Sequence, residues 1–380
     1  MGETRVDLLH LLEDLRDAYP GPIEETILTE IVANSLDSGA SDVRLDTDAP
    51  QATLTVRDNG SGMQRRELVR YHDVASTTKT RGQGIGFAGV GIKLGLLISE
   101  EVVTESRRGK VHVATRWHLA SRHRAPWKWV PPPDLVGERG TAVGLKLQNA
   151  LSPLLDPGYL EAALGRHFRP LLDPTFDDLL TAHYARGVRF WINGRVLPRH
   201  HWDAPEVARI EVRLARRRKP SALGVLVREA YPLPETQRGV AVSTLGKVIK
   251  QGWDWLGLTP GTPDRVAGLI EVPGLAECLT LSKADFIRSG ARGATYLVYR
   301  KAIQECVADQ LAKWGDPRSV SEDARRRVAR PLERDLERVL VDLADDFPLL
   351  STLVERHAGG QRRLAMESTG AADARALVLG

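Results

Sequence analysis

Cysteine is almost missing from this chain: Cys278 and Cys306 are the two among 380 residues. Two thiols exclude a multi-bridge disulfide framework and a cysteine-rich zinc site. They fit a reducing compartment, so a cytoplasmic location is expected. Long apolar runs are missing too. No stretch approaches the roughly 20 residues that span a bilayer, and the first residues show no basic-then-apolar export pattern. No membrane partner is expected. A large charge excess is also lacking, since 53 Lys and Arg against 49 Asp and Glu leave a net +4. That mild basicity permits a nucleic-acid partner without demanding one. Finally, no G-x-x-x-x-G-K-[ST] run occurs, which excludes a P-loop phosphate cradle. What is present reads as globular, with 42% hydrophobic and 27% charged residues, and the length predicts two or three domains.

Three short runs between Glu30 and Gly95 carry the chemistry. In the first, Glu30-Ile-Val-Ala-Asn34-Ser-Leu-Asp37-Ser-Gly39, the apolar spacing of Ile27, Leu28, Ile31, Val32 and Leu36 predicts a helix. Glu30 and Asn34 then lie one turn apart on one face, and Asp37 extends that face. An amide oxygen from Asn34 suits a hydrated magnesium ion, and a carboxylate from Glu30 suits activation of a water. A solvated polar face fits the same spacing.

The second run follows a predicted strand in which Leu54 and Val56 alternate with Thr53, Thr55 and Arg57. It reads Asp58-Asn-Gly60-Ser-Gly62-Met63. A strand-end carboxylate beside glycines can accept from an exocyclic amine while the backbone approaches a flat ring. An Asn-Gly hairpin turn also fits, but Gln64–His72 reads as a helix, not a returning strand. The third run is Ser76-Thr-Thr78-Lys79 followed by Gly82-Gln-Gly84-Ile-Gly86-Phe-Ala-Gly89-Val90-Gly91-Ile-Lys93-Leu-Gly95. Its bare backbone amides suit phosphate oxygens. Gly84, Gly86 and Gly89 match a dinucleotide fingerprint, but no strand precedes them, so that reading is rejected.

Taken together, in this order and spacing, the three runs resemble the GHKL (gyrase, heat-shock chaperone, histidine kinase, MutL) ATPase superfamily. Asn34–Ser41 and Ala75–Gly86 resemble topoisomerase VI B subunits, and Gly86–Gly95 resembles the lid of MORC-type ATPases. Gly140-Thr141-Ala-Val-Gly-Leu resembles the strand that closes such domains. The resemblance implies an α+β fold: a GHKL (Bergerat-type) sandwich with a mixed sheet over residues 1–155, then a transducer-type domain over 156–300. It further implies C-terminal helices over 301–358 and a disordered tail over 359–380. It implies ATP hydrolysis with magnesium. Glu30 would activate water, Asn34 would ligate the ion, and Asp58 would accept from adenine with Gly60, Gly62, Met63 and Thr141 around it. Asp37, Thr78, Lys79, Gly84, Gly86, Gly89, Val90, Gly91 and Lys93 would complete the nucleotide site.

Farther along, Leu279-Thr-Leu-Ser-Lys283-Ala-Asp-Phe286 resembles the transducer loop of MORC-type ATPases, which assigns Lys283 to the terminal phosphate. A surface lysine is the plainer alternative. The cationic run Arg213–Lys219, with Arg216, Arg217 and Arg218, is the candidate DNA contact, and a solvated loop is its alternative. Partners implied by the resemblance are a second copy of the chain, DNA, and a separate effector subunit. Two other uses of the same site stay open: a chaperone of the ninety-kilodalton heat-shock type, and a nucleotide-switched dimerisation module. No phosphoacceptor-histidine helix of a histidine kinase is recognisable.

Overall fold

Alternating burial builds the first sheet. A computed structural model describes residues 6–74, 82, 84–86, 91–214, 219–280 and 282–316, with the backbone of 354–356 and 362–364. Its first strands are β1 (Asp42–Asp48), β2 (Thr53–Asp58), β3 (Ser99–Arg108), β4 (Val111–Trp117), β5 (Trp127–Val130) and β6 (Gly140–Leu147). Then come β7 (Arg189–Ile192) and β8 (Arg195–Val196), joined by a tight turn at Asn193 and Gly194, both at positive φ. The eight lie side by side in the order β5-β4-β3-β6-β2-β1-β7-β8. All neighbours are antiparallel except β1 and β7. The result is a mixed sheet, as expected of a GHKL ATPase. One stretch differs from the sequence division: β7 and β8 lie beyond residue 155 yet complete this sheet. Val43 and Leu45 give β1 a buried apolar face, and Phe190 and Ile192 extend that face in parallel register.

The helices are α1 (Leu8–Asp17), α2 (Ile23–Asp37), α3 (Arg65–Tyr71), the single turn α4 (Gly91–Leu94), α5 (Pro157–His167), the single turns α6 (Arg169–Leu172) and α7 (Asp177–Leu180), and α8 (Gly290–Lys313). Helix α2 starts after Pro22 with Glu24 and Glu25 in its first turn, where carboxylates complement the helix dipole. It stops at Ser38, with Gly39 left-handed at φ +76. Nearly every residue from Ile27 to Leu36 is buried, so α2 is a core helix.

The second sheet contains β9 (Glu206–Val212), β10 (Ala222–Arg228), β11 (Gly239–Thr244), β12 (Lys247–Lys250) and β13 (Val266–Glu271), in the order β12-β11-β13-β10-β9. Its inner strands β10, β11 and β13 are buried on both faces, while the edge strand β9 alternates between exposed and buried residues. Val225, Val227, Ala267 and Leu269 join the core that also holds α2 and the first sheet. Leu226, Val266 and Ile270, one residue out of phase, form a second core with Tyr296, Tyr299, Ile303 and Val307 of α8. Burial on both faces explains why β10, β11 and β13 read as nearly continuous apolar runs. The tryptophans of β4 and β5 pack against neighbouring side chains. Trp117 is buried, Trp127 stacks on His72 at 4.4 Å, and Arg65 covers Trp129 at 4.2 Å.

Residues 1–317 form one unit and 318–380 another. Of the second, the described part is an antiparallel pair, β14 (Val354–Arg356) with β15 (Arg362–Leu364), where a helix end and a disordered tail were expected. Residues 317–353 of the helices expected over 301–358 lie outside the described residues.

Phe190 is fully buried, 5.9 Å from the Phe168 ring. Phe190→Ala should lower the unfolding free energy by about 3–5 kcal/mol. Denaturant melts measure this, and a loss near zero would mean that β7 is not part of the first core.

Candidate functional site

The end of β2 sets the first part of the site. The Asp58 carboxylate accepts hydrogen bonds from the Gly60 amide at 2.8 Å, Ser35 Oγ at 3.1 Å, the Thr141 amide at 3.3 Å and Ser38 Oγ at 3.4 Å. Burial outweighs these donors and pushes its pKa up to about 6. Asn59 ties the turn to the start of β1, its side-chain oxygen accepting from the Ser41 and Asp42 amides at 2.9 and 3.0 Å. Gly62 has φ +66, and a Cβ there would stand 2.2 Å from the Arg107 carbonyl oxygen, so a side chain is excluded twice over. The Met63 amide donates to Ser106 Oγ at 2.7 Å, and that hydroxyl lies 3.3 Å from Thr141 Oγ1. Ile31, Val56, Ile92 and Val143 line the same cavity, which gives the carboxylate an apolar slot beside it.

Asp37 has a different task from the rest of its helix face. Its carboxylate accepts from the Ile85 amide at 2.8 Å and the Gly86 amide at 2.7 Å, and so pins the glycine segment to α2. Gly91 opens α4, where a Cβ would stand 2.4 Å from Glu30 Cβ. Lys93 is 2% exposed, with its amine 5.5 Å from the Tyr71 ring centre, and burial draws its pKa down to about 8. Thr78, Lys79, Gly89 and Val90 lie outside the described residues, as do Arg216, Arg217 and Arg218.

Glu30 is 2% exposed, and two lysines of the second sheet's layer converge on its carboxylate. Lys283 donates to Oε2, and Lys247 Nζ lies 3.7 Å from Oε1. Lys283 sits in a loop closed by a bridge between Leu279 and Phe286, with the Thr280 amide donating to the Asp285 carbonyl at 2.9 Å. It is itself left-handed, at φ +57, a conformation that costs a β-carbon residue energy and recurs where function over-determines the backbone. Glu30, Asn34, Asp37, Asp58, Gly62, Met63, Gly86, Gly91, Lys93, Thr141 and Lys283 all line one cavity of about 540 Å³, a volume suited to a nucleotide-sized ligand.

Sequence reasoning missed Lys247, Ser35, Ser38 and Ser106. Ser35 and Ser38 sit within the Asn34–Ser41 run, but nothing in their spacing points to Asp58. Lys247 carries a faint signal: it falls on the buried phase of β12 with Ile249, where a lysine is out of place.

A strand-end carboxylate over an apolar slot, a glycine segment held to a buried Glu-Asn helix, and a mixed sheet behind them define a GHKL-type ATPase domain. Residues 23–133 match the family model described as histidine kinase-, DNA gyrase B-, and HSP90-like ATPase, and the chain carries a domain of that class. Its relatives include Chaperone protein HtpG of Coxiella burnetii, 27% identical over 184 residues, which covers 40% of this chain and 28% of the relative. HtpG of Rhodopseudomonas palustris is 28% identical over 181 residues, covering 43% and 28%. HtpG of Methylibium petroleiphilum is 28% identical over 147 residues, covering 34% and 23%. The chain thus spans less than a third of the length of these relatives.

Each charge-assisted bond from Asp37 to a loop amide is worth about 1.5–3 kcal/mol. Asp37→Ala should therefore speed amide exchange at Ile85 and Gly86 about tenfold or more. Hydrogen exchange across residues 82–91 reads this directly, and unchanged rates would show that the loop is held by other contacts.

Proposed function

We propose that this chain hydrolyses ATP to ADP and phosphate with magnesium, and that its second sheet reads which nucleotide is bound. The observation that carries the reading is the buried pair of Glu30 and Lys283, in the same cavity as Asp58. The adenine amino group would donate to Asp58, with the ring against Ile31, Val56 and Val143. The Gly86 and Gly91 backbone and Lys93 would face the phosphates. Among the described residues no group of three His, Cys, Asp or Glu side chains forms a metal cage. That suits magnesium, which keeps several waters and arrives on phosphate with one or two protein ligands. Asn34 would supply the neutral oxygen for it. The bound ion would neutralise charge on the triphosphate.

In the reaction, a water oxygen bonds to the terminal phosphorus and the bond to the bridging oxygen breaks. Glu30 takes the water's proton. Lys283 moves its hydrogen bond from Glu30 to a terminal phosphate oxygen, a mainly electrostatic contribution. The loop carrying Lys283 belongs to the second sheet's layer, so phosphate loss is felt there. We read residues 6–200 as the nucleotide module and 201–316 as the sensing module. We further propose that bound ATP closes two copies of the chain into a dimer. The relatives' name, chaperone protein, favours a protein client. DNA, the other candidate partner, rests on motif likeness alone. Sizing the protein with a non-hydrolysable ATP analogue, then with DNA added, tests both: a monomer throughout removes the dimer, and no shift with DNA removes that partner.

Glu30→Ala should bind ATP with near wild-type affinity while turnover falls by about 10²–10⁴. Calorimetry and steady-state kinetics measure the two, and wild-type turnover would remove Glu30 from the role of base.

The Asp58 pKa near 6 gives a second expectation. The carboxylate accepts from adenine, and its protonated form does not. Above about pH 7 affinity should be flat, and below about pH 6 it should fall roughly tenfold per unit. Asp58→Asn should bind weakly at every pH. Affinity that is unchanged in the variant, or flat down to pH 5 in the parent, would dismiss the adenine assignment.

A further inference from the structure

We propose that Lys247 is a positioning residue that keeps Glu30 ionised and aimed at the water after Lys283 has turned to the nucleotide. The inference rests on the ATPase reading and adds a residue to it. Two ammonium groups on one carboxylate need a reason, because one suffices to balance its charge. Here each takes a different oxygen, Lys283 at Oε2 and Lys247 on the Oε1 side at 3.7 Å. Their mountings differ. Lys283 sits in a short loop closed by its own hydrogen bonds between Thr280 and Asp285. Lys247 begins β12, directly after a turn fixed from two sides. The Gly246 amide donates to Glu271 Oε2 at 3.2 Å, and the Tyr184 hydroxyl donates to the Leu245 carbonyl at 2.8 Å. Leu171 closes the third side, since a Cβ on Gly246 would stand 2.7 Å from its Cγ. A lysine held this way stays where it is when the loop amine leaves.

Once Lys283 bonds to phosphate, Glu30 remains buried beside a polyanion. Both burial and the added negative charge favour the protonated carboxyl, which cannot accept a proton from water. The Lys247 ammonium opposes both. Among the described residues, the titratable groups around it are Glu30 and Asp37 of α2 and Lys283, with Glu271 and Tyr184 behind its turn, and Tyr19 also faces Glu30. Burial lowers its pKa only to about 8, so the charged form predominates at pH 7.

The test uses the whole chain and three variants: Lys247→Met, Lys247→Gln and Lys247→Arg. Thermal melts select whichever of Met or Gln folds like the parent. In that variant the ATP Kd should stay within about twofold, while kcat at pH 7 drops about tenfold for each unit by which the Glu30 pKa rises past the assay pH. The acid limb of kcat against pH should move to higher pH, so that the loss shrinks as pH rises. Lys247→Arg should recover most of the activity and the parent's acid limb. An unmoved acid limb overturns the proposal, as does a loss equal at every pH that Arg fails to restore. A parent protein that binds no ATP overturns the nucleotide reading and this inference together. Normal binding with unchanged turnover in the variant overturns the inference alone.

Discussion

The structure depends on one buried carboxylate. Glu30 lies in the middle of a core helix, and two lysines from the second sheet's layer answer its charge. Such an arrangement is a poor source of stability. Taking the ions out of water costs several kcal/mol each, and apolar side chains of the same size would usually hold the fold as well. Removing one partner is another matter, because it strands a charge at a cost of about 3–5 kcal/mol. The two layers are therefore bound by a contact that is costly to break one-sidedly and easily redirected. A second anion in the cavity can compete for the same amines.

Helix α2 distributes that sensitivity. Within three turns the helix and its cap Ser38 supply Glu30 to the lysines, Ser35 and Ser38 to Asp58, and Asp37 to the glycine segment. Its apolar residues are buried on all sides, so it cannot slide to suit one contact without disturbing the others. The second sheet is likewise packed on both faces, with α8 beyond it. A change at the Glu30 contact thus bears on a layer that has its own core.

Much of this was legible in the residues because the motifs are local. Asp58 with its glycines, the Glu30-Asn34-Asp37 face and the strands about them follow from period and turn chemistry. Lys283 was reachable only through a motif resemblance, since its spacing says nothing of Glu30, 253 residues away. Lys247 was not reachable: its one signal, a lysine in the buried phase of a short strand, names no partner. Asp37, expected at the nucleotide, lines the cavity and also holds two backbone amides, a second role that side-chain type does not announce. The strands β7 and β8 join the first sheet from beyond residue 155, a placement the residues do not announce. A parallel pairing leaves no hairpin in the sequence to announce it.

That parallel pairing has a consequence for how the chain assembles. Strand β1 is made early, but its second neighbour, β7, begins 147 residues after β1 begins. Until then β1 presents an open edge carrying Val43 and Leu45, a template for any extended apolar segment nearby. On a ribosome adding roughly 5–20 residues per second, that interval lasts on the order of ten seconds. The part of the site formed by α2 and β2 can be outlined well before the sheet that supports it is closed. The open edge is then the place where an emerging chain is most exposed to mispairing with its own kind.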